Sequence, residues 1–179
     1  MGFNVFTFDY RGYGDSEGKP DRYGIYMDSV AAIEYVQATF EPRNLYIFGQ
    51  SLGGVFAIAA VAKNNFPSIC AVIVEGTFAS FREEAKYMMR RKTQEAIGQS
   101  PCIMWSIPPM ARLGVDDRYS PITLVDQVSP VPLLIIHCVG DEAIPLKHAE
   151  ALFEQAGSPK YLWPVKGCEH VELFIDWEF

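Results

Sequence analysis

The segment NLYIFGQSLGG, residues 44–54, constrains the fold of this chain more than any other part of the sequence. A short apolar run, Leu45 to Phe48, leads into a glycine-rich turn that carries Ser51, and an alanine-rich helical pattern follows from Leu52 to Lys63. The turn matches Gly-x-Ser-x-Gly, a pattern in which a serine stands on a sharp bend between a strand and a helix. The segment therefore predicts a buried strand that passes through a tight turn directly into a helix.

Strand and helix patterns alternate along the rest of the chain, which is typical of a parallel sheet packed against helices. The strands are continuous apolar runs rather than alternating ones, so both faces of the sheet are expected to be covered. We therefore predict an α/β fold, a mostly parallel sheet covered by helices on both faces. The predicted strands are Phe3–Asp9, Leu45–Phe48, Ile69–Val74, Leu133–His137 and Tyr161–Val165, and the predicted helices are Tyr23–Thr39, Leu52–Lys63 and Leu146–Ala156. Because Pro164 cannot donate a ladder hydrogen bond, the last strand should lie at an edge.

The 179 residues suit a single domain, 1–179, with an insertion. Residues 78–130 separate the third and fourth predicted strands and are too long for one crossover, so we expect a small helical cap there. Its apolar segment CIMWSIPPM, residues 102–110, is expected to pack the cap onto the sheet; an acyl pocket or a membrane contact is the alternative.

Charge and cysteine content narrow the class of protein. A formal net charge of −7 argues against nucleic acid as a partner, because phosphate binding needs a basic face. No apolar stretch reaches the roughly 20 residues of a membrane span. The four cysteines show neither CxxC nor metal-site spacing, so we expect free structural thiols in a reducing, cytoplasmic compartment and no metal; disulfides are the alternative that the sequence leaves open.

The chemistry predicted at the turn is nucleophilic attack by Ser51. Strain in so tight a turn lifts the Ser51 hydroxyl away from the sheet. Side chains at Gly49 or Gly53 are expected to clash with the turn. The following helix points its amino end at the serine, so the Leu52 N–H is a candidate donor to an oxyanion.

A serine needs a base, and the base needs a carboxylate to orient it. Asp141 follows the fourth predicted strand and His170 follows the last one, so both leave the same edge of the sheet as Ser51. Glu75, after the third strand, is the rival for the acid. Of the other histidines, His137 is expected to be a packed core residue and His148 a solvated or first-turn helix residue.

Four motifs, FDYRGYGDSEG, GQSLGG, GDEAIP and the histidine of GCEH, together resemble the α/β-hydrolase superfamily, nearest to its serine aminopeptidase and esterase-like group. The resemblance implies hydrolysis of an ester, thioester or amide through an acyl-enzyme, on a small-molecule, peptide or acyl substrate, without metal or cofactor. Carried over by position, Ser51 is the nucleophile, Asp141 the acid and His170 the base. The loop that begins Tyr10, Arg11, Gly12 is expected to form a pocket wall.

The sequence departs from this family at its amino-terminal end. Members normally carry earlier strands, one of them between the Phe3–Asp9 and Leu45–Phe48 strands, and an HGG or HGN loop that supplies a second oxyanion donor. The resemblance therefore implies a fragment, a truncated product or a misassigned start, with weak or no activity alone. The alternative hypothesis is a non-catalytic binding module, since fold alone does not establish function.

Overall fold

The computed structural model describes residues 2–97 and 115–173. Within these residues four parallel strands form one sheet, in the same order in space as along the chain. The predicted parallel α/β architecture is confirmed, and the observed strands match the last four predicted ones to within two residues at each end. The strands are β1 (Leu45–Gln50), β2 (Ile69–Glu75), β3 (Leu133–Cys138) and β4 (Lys160–Val165).

Among the described residues, one helix precedes β1, and each of the other three lies between two consecutive strands. Such helical crossovers are the usual way in which parallel neighbours are joined. The helices are α1 (Arg22–Phe40), α2 (Leu52–Lys63), α3 (Phe81–Ile97) and α4 (Lys147–Gln155), and two 3₁₀ turns cover Pro121–Thr123 and Val125–Val128. The Asp21 side chain caps α1 by accepting a hydrogen bond from the Gly24 N–H at 3.0 Å.

The main hydrophobic core lies between one face of the sheet and the helices. The strand register places Val74 and Ile135 side by side on that face, and both are at most 1% exposed. The α2 helix is buried from Gly54 to Val61, which explains why its sequence is apolar all round. Phe56 stands at its centre, fully buried.

The opposite face of the sheet is more open among the described residues. Tyr46 and Phe48 of β1 are each 50% exposed, and Trp163 of β4 is 46% exposed. Tyr46, Phe48 and Trp163 each follow a less exposed residue along their strands, as period-two geometry requires. The strand β4 lies at the edge of the sheet, so the edge position predicted from Pro164 is confirmed.

The predicted strand Phe3–Asp9 is wrong, because residues 2–10 form no strand in the described part of the chain. An apolar run becomes a strand only when a neighbour accepts and donates its backbone hydrogen bonds, and among residues 2–97 and 115–173 the sheet extends no further than β1 on this side. The segment lies on the surface instead, where Phe3 is 81% exposed and its ring contacts Tyr46 edge-on.

The predicted insertion begins with α3 and ends with the two 3₁₀ turns. Its apolar segment, residues 102–110, lies outside the described residues, so the cap stays a prediction. Among the helices that the structure describes, none combines the length and the apolar character needed to cross a bilayer.

Candidate active site

Ser51 occupies the sharp bend between β1 and α2. Its backbone has φ 51° and ψ −116°, a conformation that costs a non-glycine residue on the order of 1–3 kcal/mol. Two hydrogen bonds from the neighbouring strand end hold it there. The Ser51 N–H donates to the Glu75 carbonyl at 2.8 Å, and the Thr77 hydroxyl donates to the Ser51 carbonyl at 3.2 Å. The neighbouring strand thus stabilises the strained turn.

Glycines are needed at this turn, but not at both of the expected positions. A Cβ on Gly49 would lie 2.6 Å from the Gly53 carbonyl oxygen, so no side chain fits there. A Cβ on Gly53 meets nothing within 4 Å, so the predicted clash at Gly53 is wrong. The crowded position is Gly54, where a Cβ would overlap the Thr77 hydroxyl, because α2 packs directly against the loop after β2.

Three side chains predicted to act together are joined by hydrogen bonds. His170 Nδ1 lies 2.7 Å from Asp141 Oδ2, and His170 Nε2 lies 3.2 Å from Ser51 Oγ. With the ring proton on Nδ1, His170 donates to the carboxylate and leaves Nε2 free to accept from the serine hydroxyl. The histidine is 26% exposed while the Asp141 side chain is fully buried. His170 therefore faces solvent and Asp141 lies behind it.

The loop that carries Asp141 fixes the direction of its carboxylate. Oδ1 accepts hydrogen bonds from the N–H groups of Ala143, at 2.9 Å, and Ile144, at 2.7 Å. The Ile144 carbonyl in turn contacts Nε2 of the buried His137 at 2.7 Å. Oδ1 is thus occupied by the backbone, and Oδ2 is left to face His170.

Leu52 is the first residue of α2, immediately after Ser51. Its N–H belongs to the first turn, where backbone amides have no acceptor within the helix. The positive end of the helix dipole lies at the same place, so this position suits a developing negative charge.

The residues predicted to form a pocket wall contact α1, α2 and their own loop. Arg11 makes a 2.7 Å ion pair with Asp28, and the Tyr10 ring packs 6.3 Å from that of Phe56 in α2. Gly12 donates backbone hydrogen bonds within its own loop. In the described ranges no hydrogen bond, ion pair or ring contact joins these three residues to Ser51, His170 and Asp141, which we call the triad. The role of the three residues in a pocket wall therefore stays a prediction.

The rival acid, Glu75, is buried beside the turn but is paired elsewhere. Its Oε2 accepts a hydrogen bond from Gln50 Nε2 at 2.9 Å, and it is Asp141 that the structure places against His170. His137 is fully buried, as expected of a packed core histidine.

Sequence reasoning missed a pair formed by the half-buried Glu84 of α3 and the buried His148 of α4. The Ala79 N–H donates to His148 Nδ1 at 3.2 Å, so the neutral ring carries its proton on Nε2, 3.7 Å from Glu84 Oε2. His148 does lie in the first turn of a helix, but the expectation that it is solvated is wrong, because it is only 4% exposed. Glu84 and His148 are 64 residues apart and lie on separate helices, so no local sequence pattern predicts that they meet.

Burial shifts both members of this pair toward their neutral forms. It raises the pKa of Glu84 to about 7, and the negative charge of nearby Asp141 acts in the same direction. It lowers the pKa of His148 to about 4, with Lys147 adding to the effect. A carboxyl group that titrates near neutral pH thus lies close to the triad.

The expectation of free thiols is wrong for two of the four cysteines. Cys138 and Cys168 form a disulfide with their Cα atoms 5.4 Å apart. The two residues are 30 positions apart in sequence, but they follow neighbouring parallel strands and therefore meet at the same sheet edge. Cys70 is a free cysteine. Since disulfides are typical of oxidising compartments, the thiol argument for a cytoplasmic location no longer holds, and the location stays a prediction.

Comparisons with known proteins point to one family. A family model for the alpha/beta hydrolase fold matches residues 1–88. The uncharacterised protein YfhR of Escherichia coli (strain K12) is 36% identical over 176 residues, covering 97% of this chain and 55% of the relative. The lysophosphatidylserine lipase ABHD12 of Danio rerio is 31% identical over 170 residues, covering 90% of this chain and 42% of the relative. The chain thus spans about half the length of the curated relatives it matches.

Solved structures share the fold at lower sequence identity. The Pyrococcus furiosus esterase PF2001 superposes with a TM-score of 0.70 at 17% identity, covering 93% of this chain and 63% of the esterase. The esterase domain of a Rhodothermus marinus protein gives 0.60 at 22% identity, covering 91% and 62%. At such identities the likeness extends to the fold alone.

Proposed function

Because the chain belongs to the α/β-hydrolase superfamily, we propose that it is a serine hydrolase that cleaves an ester, thioester or amide through an acyl-enzyme on Ser51. The observation that carries the proposal is the continuous hydrogen-bonded chain from Ser51 Oγ through His170 to Asp141. A nucleophile, a base within reach of its proton and a carboxylate that orients the base are the three parts that acyl transfer to serine requires.

Acylation begins with proton transfer from Ser51 Oγ to His170 Nε2, across the observed 3.2 Å. The oxygen attacks the substrate carbonyl carbon, and the carbonyl oxygen becomes an oxyanion. The Asp141 carboxylate, buried and 2.7 Å from Nδ1, stabilises the imidazolium that forms and keeps Nε2 pointed at the serine. His170 then gives its proton to the departing alcohol, thiol or amine, and Ser51 retains the acyl group.

The Leu52 N–H is proposed to donate to the oxyanion, helped by the dipole of α2. One such donor contributes about 3 kcal/mol to transition-state stabilisation in serine hydrolases. Water then enters in place of the leaving group, gives a proton to His170 Nε2 and attacks the acyl carbon. As this second oxyanion collapses, the bond from the acyl carbon to Ser51 Oγ breaks, His170 returns the proton to Oγ, and the acid is released. No metal or cofactor takes part in these steps.

Carboxylic esters are the substrate class that we propose to test first. Two relatives of the same fold are named as esterases, and a relative at 31% identity is named as a lysophosphatidylserine lipase. Esters also have better leaving groups than amides, so a serine nucleophile attacks them more readily. Thioester and amide hydrolysis use the same three residues and follow as the next substrates.

The test is labelling of the purified 179-residue chain with a fluorophosphonate, which phosphonylates an activated serine and needs no knowledge of the substrate. Intact mass and peptide mapping locate the adduct. We expect one adduct, on Ser51, which is lost in Ser51→Ala and in His170→Ala. Ser129→Ala is the matched control, because Ser129 precedes β3 and so lies at the other end of the sheet.

The outcome separates hydrolase from binding module when folding is measured on the same samples. An adduct on Ser51 that depends on His170 supports the proposed nucleophile and base. A chain with native circular dichroism and no adduct contradicts the proposal and favours a non-catalytic α/β-hydrolase-like module. An adduct that persists in His170→Ala contradicts the role given to the base.

A further inference from the structure

The Cys138–Cys168 disulfide joins the two loops that carry the proposed acid and base. Cys138 is the last residue of β3, three residues before Asp141. Cys168 lies three residues beyond the end of β4 and two before His170. The covalent bond therefore connects the start of the acid loop to the base loop next to the histidine itself.

The acid loop keeps its shape through its own contacts. The Asp141 N–H donates to the Cys138 carbonyl at 3.1 Å, and Asp141 Oδ1 accepts from two backbone amides further along the loop. The His137 ring closes the loop through the Ile144 carbonyl. These bonds lie within residues 137–144, so the position of Asp141 does not depend on the disulfide.

The base loop, in which Leu173 is buried, has fewer hydrogen bonds to the rest of the protein. It follows β4, which has a strand on one side only, and Lys166, Gly167 and Glu169 in it are exposed. His170 in this loop is hydrogen-bonded to Asp141 and Ser51. In the described residues the other hydrogen bond between the loop and the rest of the chain is long, from Gln50 Nε2 to the Val171 carbonyl at 3.4 Å. The disulfide is thus the strongest connection between this loop and the sheet.

We propose that the Cys138–Cys168 disulfide positions His170 against Asp141, and that opening it with a dithiol slows the acylation of Ser51. This inference rests on the proposed function. Because His170 is on the less supported loop, a loosened loop moves the base away from a fixed acid and a fixed nucleophile. A displacement of about 1 Å in a catalytic group can cost about 100-fold in rate.

The reduction is a two-electron exchange between the disulfide and an added dithiol such as dithiothreitol. A dithiol thiolate attacks the half-buried Cys168 sulfur, and Cys138, which is buried, leaves as a thiolate and takes a proton. The second thiol of the reagent then attacks the mixed disulfide and releases Cys168. The reagent ends as a cyclic disulfide, and the protein gains two thiols.

The experiment compares the chain before and after reduction, at a temperature where both forms are folded. Alkylation and peptide mapping count the thiols at Cys138 and Cys168, and circular dichroism reports the fold. The fluorophosphonate rate constant on Ser51 reports the triad, and hydrogen exchange of residues 166–171 reports the loop without any need for activity. Cys70→Ala is the matched control, because Cys70 is a free cysteine on β2.

We expect reduction to lower the labelling rate by about tenfold or more, to speed exchange in residues 166–171, and to leave circular dichroism unchanged. The double variant Cys138→Ala, Cys168→Ala should reproduce this without reductant, and Cys70→Ala should behave as wild type. Unchanged labelling and exchange with both thiols present overturns the proposal. So does loss of the whole fold on reduction, or two free thiols in the air-oxidised chain.

A further outcome separates this inference from the function on which it rests. If exchange in residues 166–171 rises on reduction but neither form labels, the disulfide does position the His170 loop and the proposed hydrolase function is what fails. If the oxidised form labels through Ser51 and reduction changes nothing, the hydrolase function stands and the positioning role is refuted.

Discussion

Replacing Asp141 by asparagine tests how the acid controls the base. The amide has the shape of the carboxylate, so the change should not disturb packing. The Ala143 and Ile144 N–H groups point at one oxygen of Asp141, and they will hold the amide oxygen of asparagine in that place. The amide NH₂ then faces His170 Nδ1 across the 2.7 Å contact that a carboxylate oxygen fills in the wild type.

That substitution should invert the tautomer of His170. A ring nitrogen that faces an NH₂ group must accept rather than donate, so the proton moves to Nε2, on the side of Ser51. Nε2 then has no lone pair to take the serine proton, and the buried negative charge that stabilised the imidazolium is gone. For a triad with this geometry the loss is about 10⁴-fold in rate, equivalent to about 5 kcal/mol.

The assay is the second-order rate constant for fluorophosphonate labelling at neutral pH, with thermal unfolding measured on the same sample. Glu142→Gln is the matched control, since Glu142 is adjacent in sequence and exposed. We expect wild-type labelling from Glu142→Gln and a loss of three to four orders of magnitude from a folded Asp141→Asn. A folded Asp141→Asn chain that labels within tenfold of wild type would refute this explanation of the acid.

Two further substitutions test how residues around Ser51, Asp141 and His170 contribute to the free energy of unfolding. Because the pKa of Glu84 is raised to about 7, its folded-state stabilisation is present at low pH and is lost as pH rises through 7. Glu84→Gln should therefore become more stable relative to wild type as pH rises from about 5 to about 8, by about 1–2 kcal/mol in unfolding free energy, because solvent screens part of the effect at this half-buried carboxyl. A gain independent of pH, or an equal gain in the exposed control Glu83→Gln, contradicts this. Gly54→Ala should lower the unfolding free energy by about 1–3 kcal/mol, measured by chemical denaturation, because the new Cβ overlaps Thr77. Gly53→Ala places its Cβ in open space and should change the unfolding free energy by no more than about 0.5 kcal/mol. Equal losses in the two variants would show that crowding is not the cause.

The sequence predicted the central elements well because local and long-range signals agree there. The apolar run of β1 and the helical pattern of α2 meet at Gly-x-Ser-x-Gly, and α2 covers the predicted Leu52–Lys63. Asp141 and His170 could be found because parallel strands end at one edge of the sheet, so residues that follow different strands converge.

The wrong predictions share a cause: a sequence pattern does not show which segments of the chain lie next to each other in the fold. Phe3–Asp9 has the composition of a strand, but a strand exists only beside a partner, and none pairs with it in the described residues. Cys138 and Cys168 are 30 residues apart, and their pairing follows only once β3 and β4 are known to be adjacent.

The burial of His148 was missed for a related reason. A histidine three residues after a proline and in the first turn of a helix is usually exposed to solvent. The groups that face the buried His148 ring, the Ala79 N–H and the Glu84 carboxyl, lie far from it in sequence. The crowding at Gly54 rather than Gly53 depends in the same way on the position of Thr77, which belongs to the loop after the next strand.

The central claim, that Ser51 forms an acyl-enzyme, is tested most directly by trapping that intermediate. The chain is mixed with p-nitrophenyl acetate, quenched in acid within the first turnover, digested and mapped by mass spectrometry. We predict one acetyl group on Ser51, absent when His170 is replaced by alanine. A folded chain that carries no acetyl group at Ser51, or carries it equally without His170, would contradict the claim.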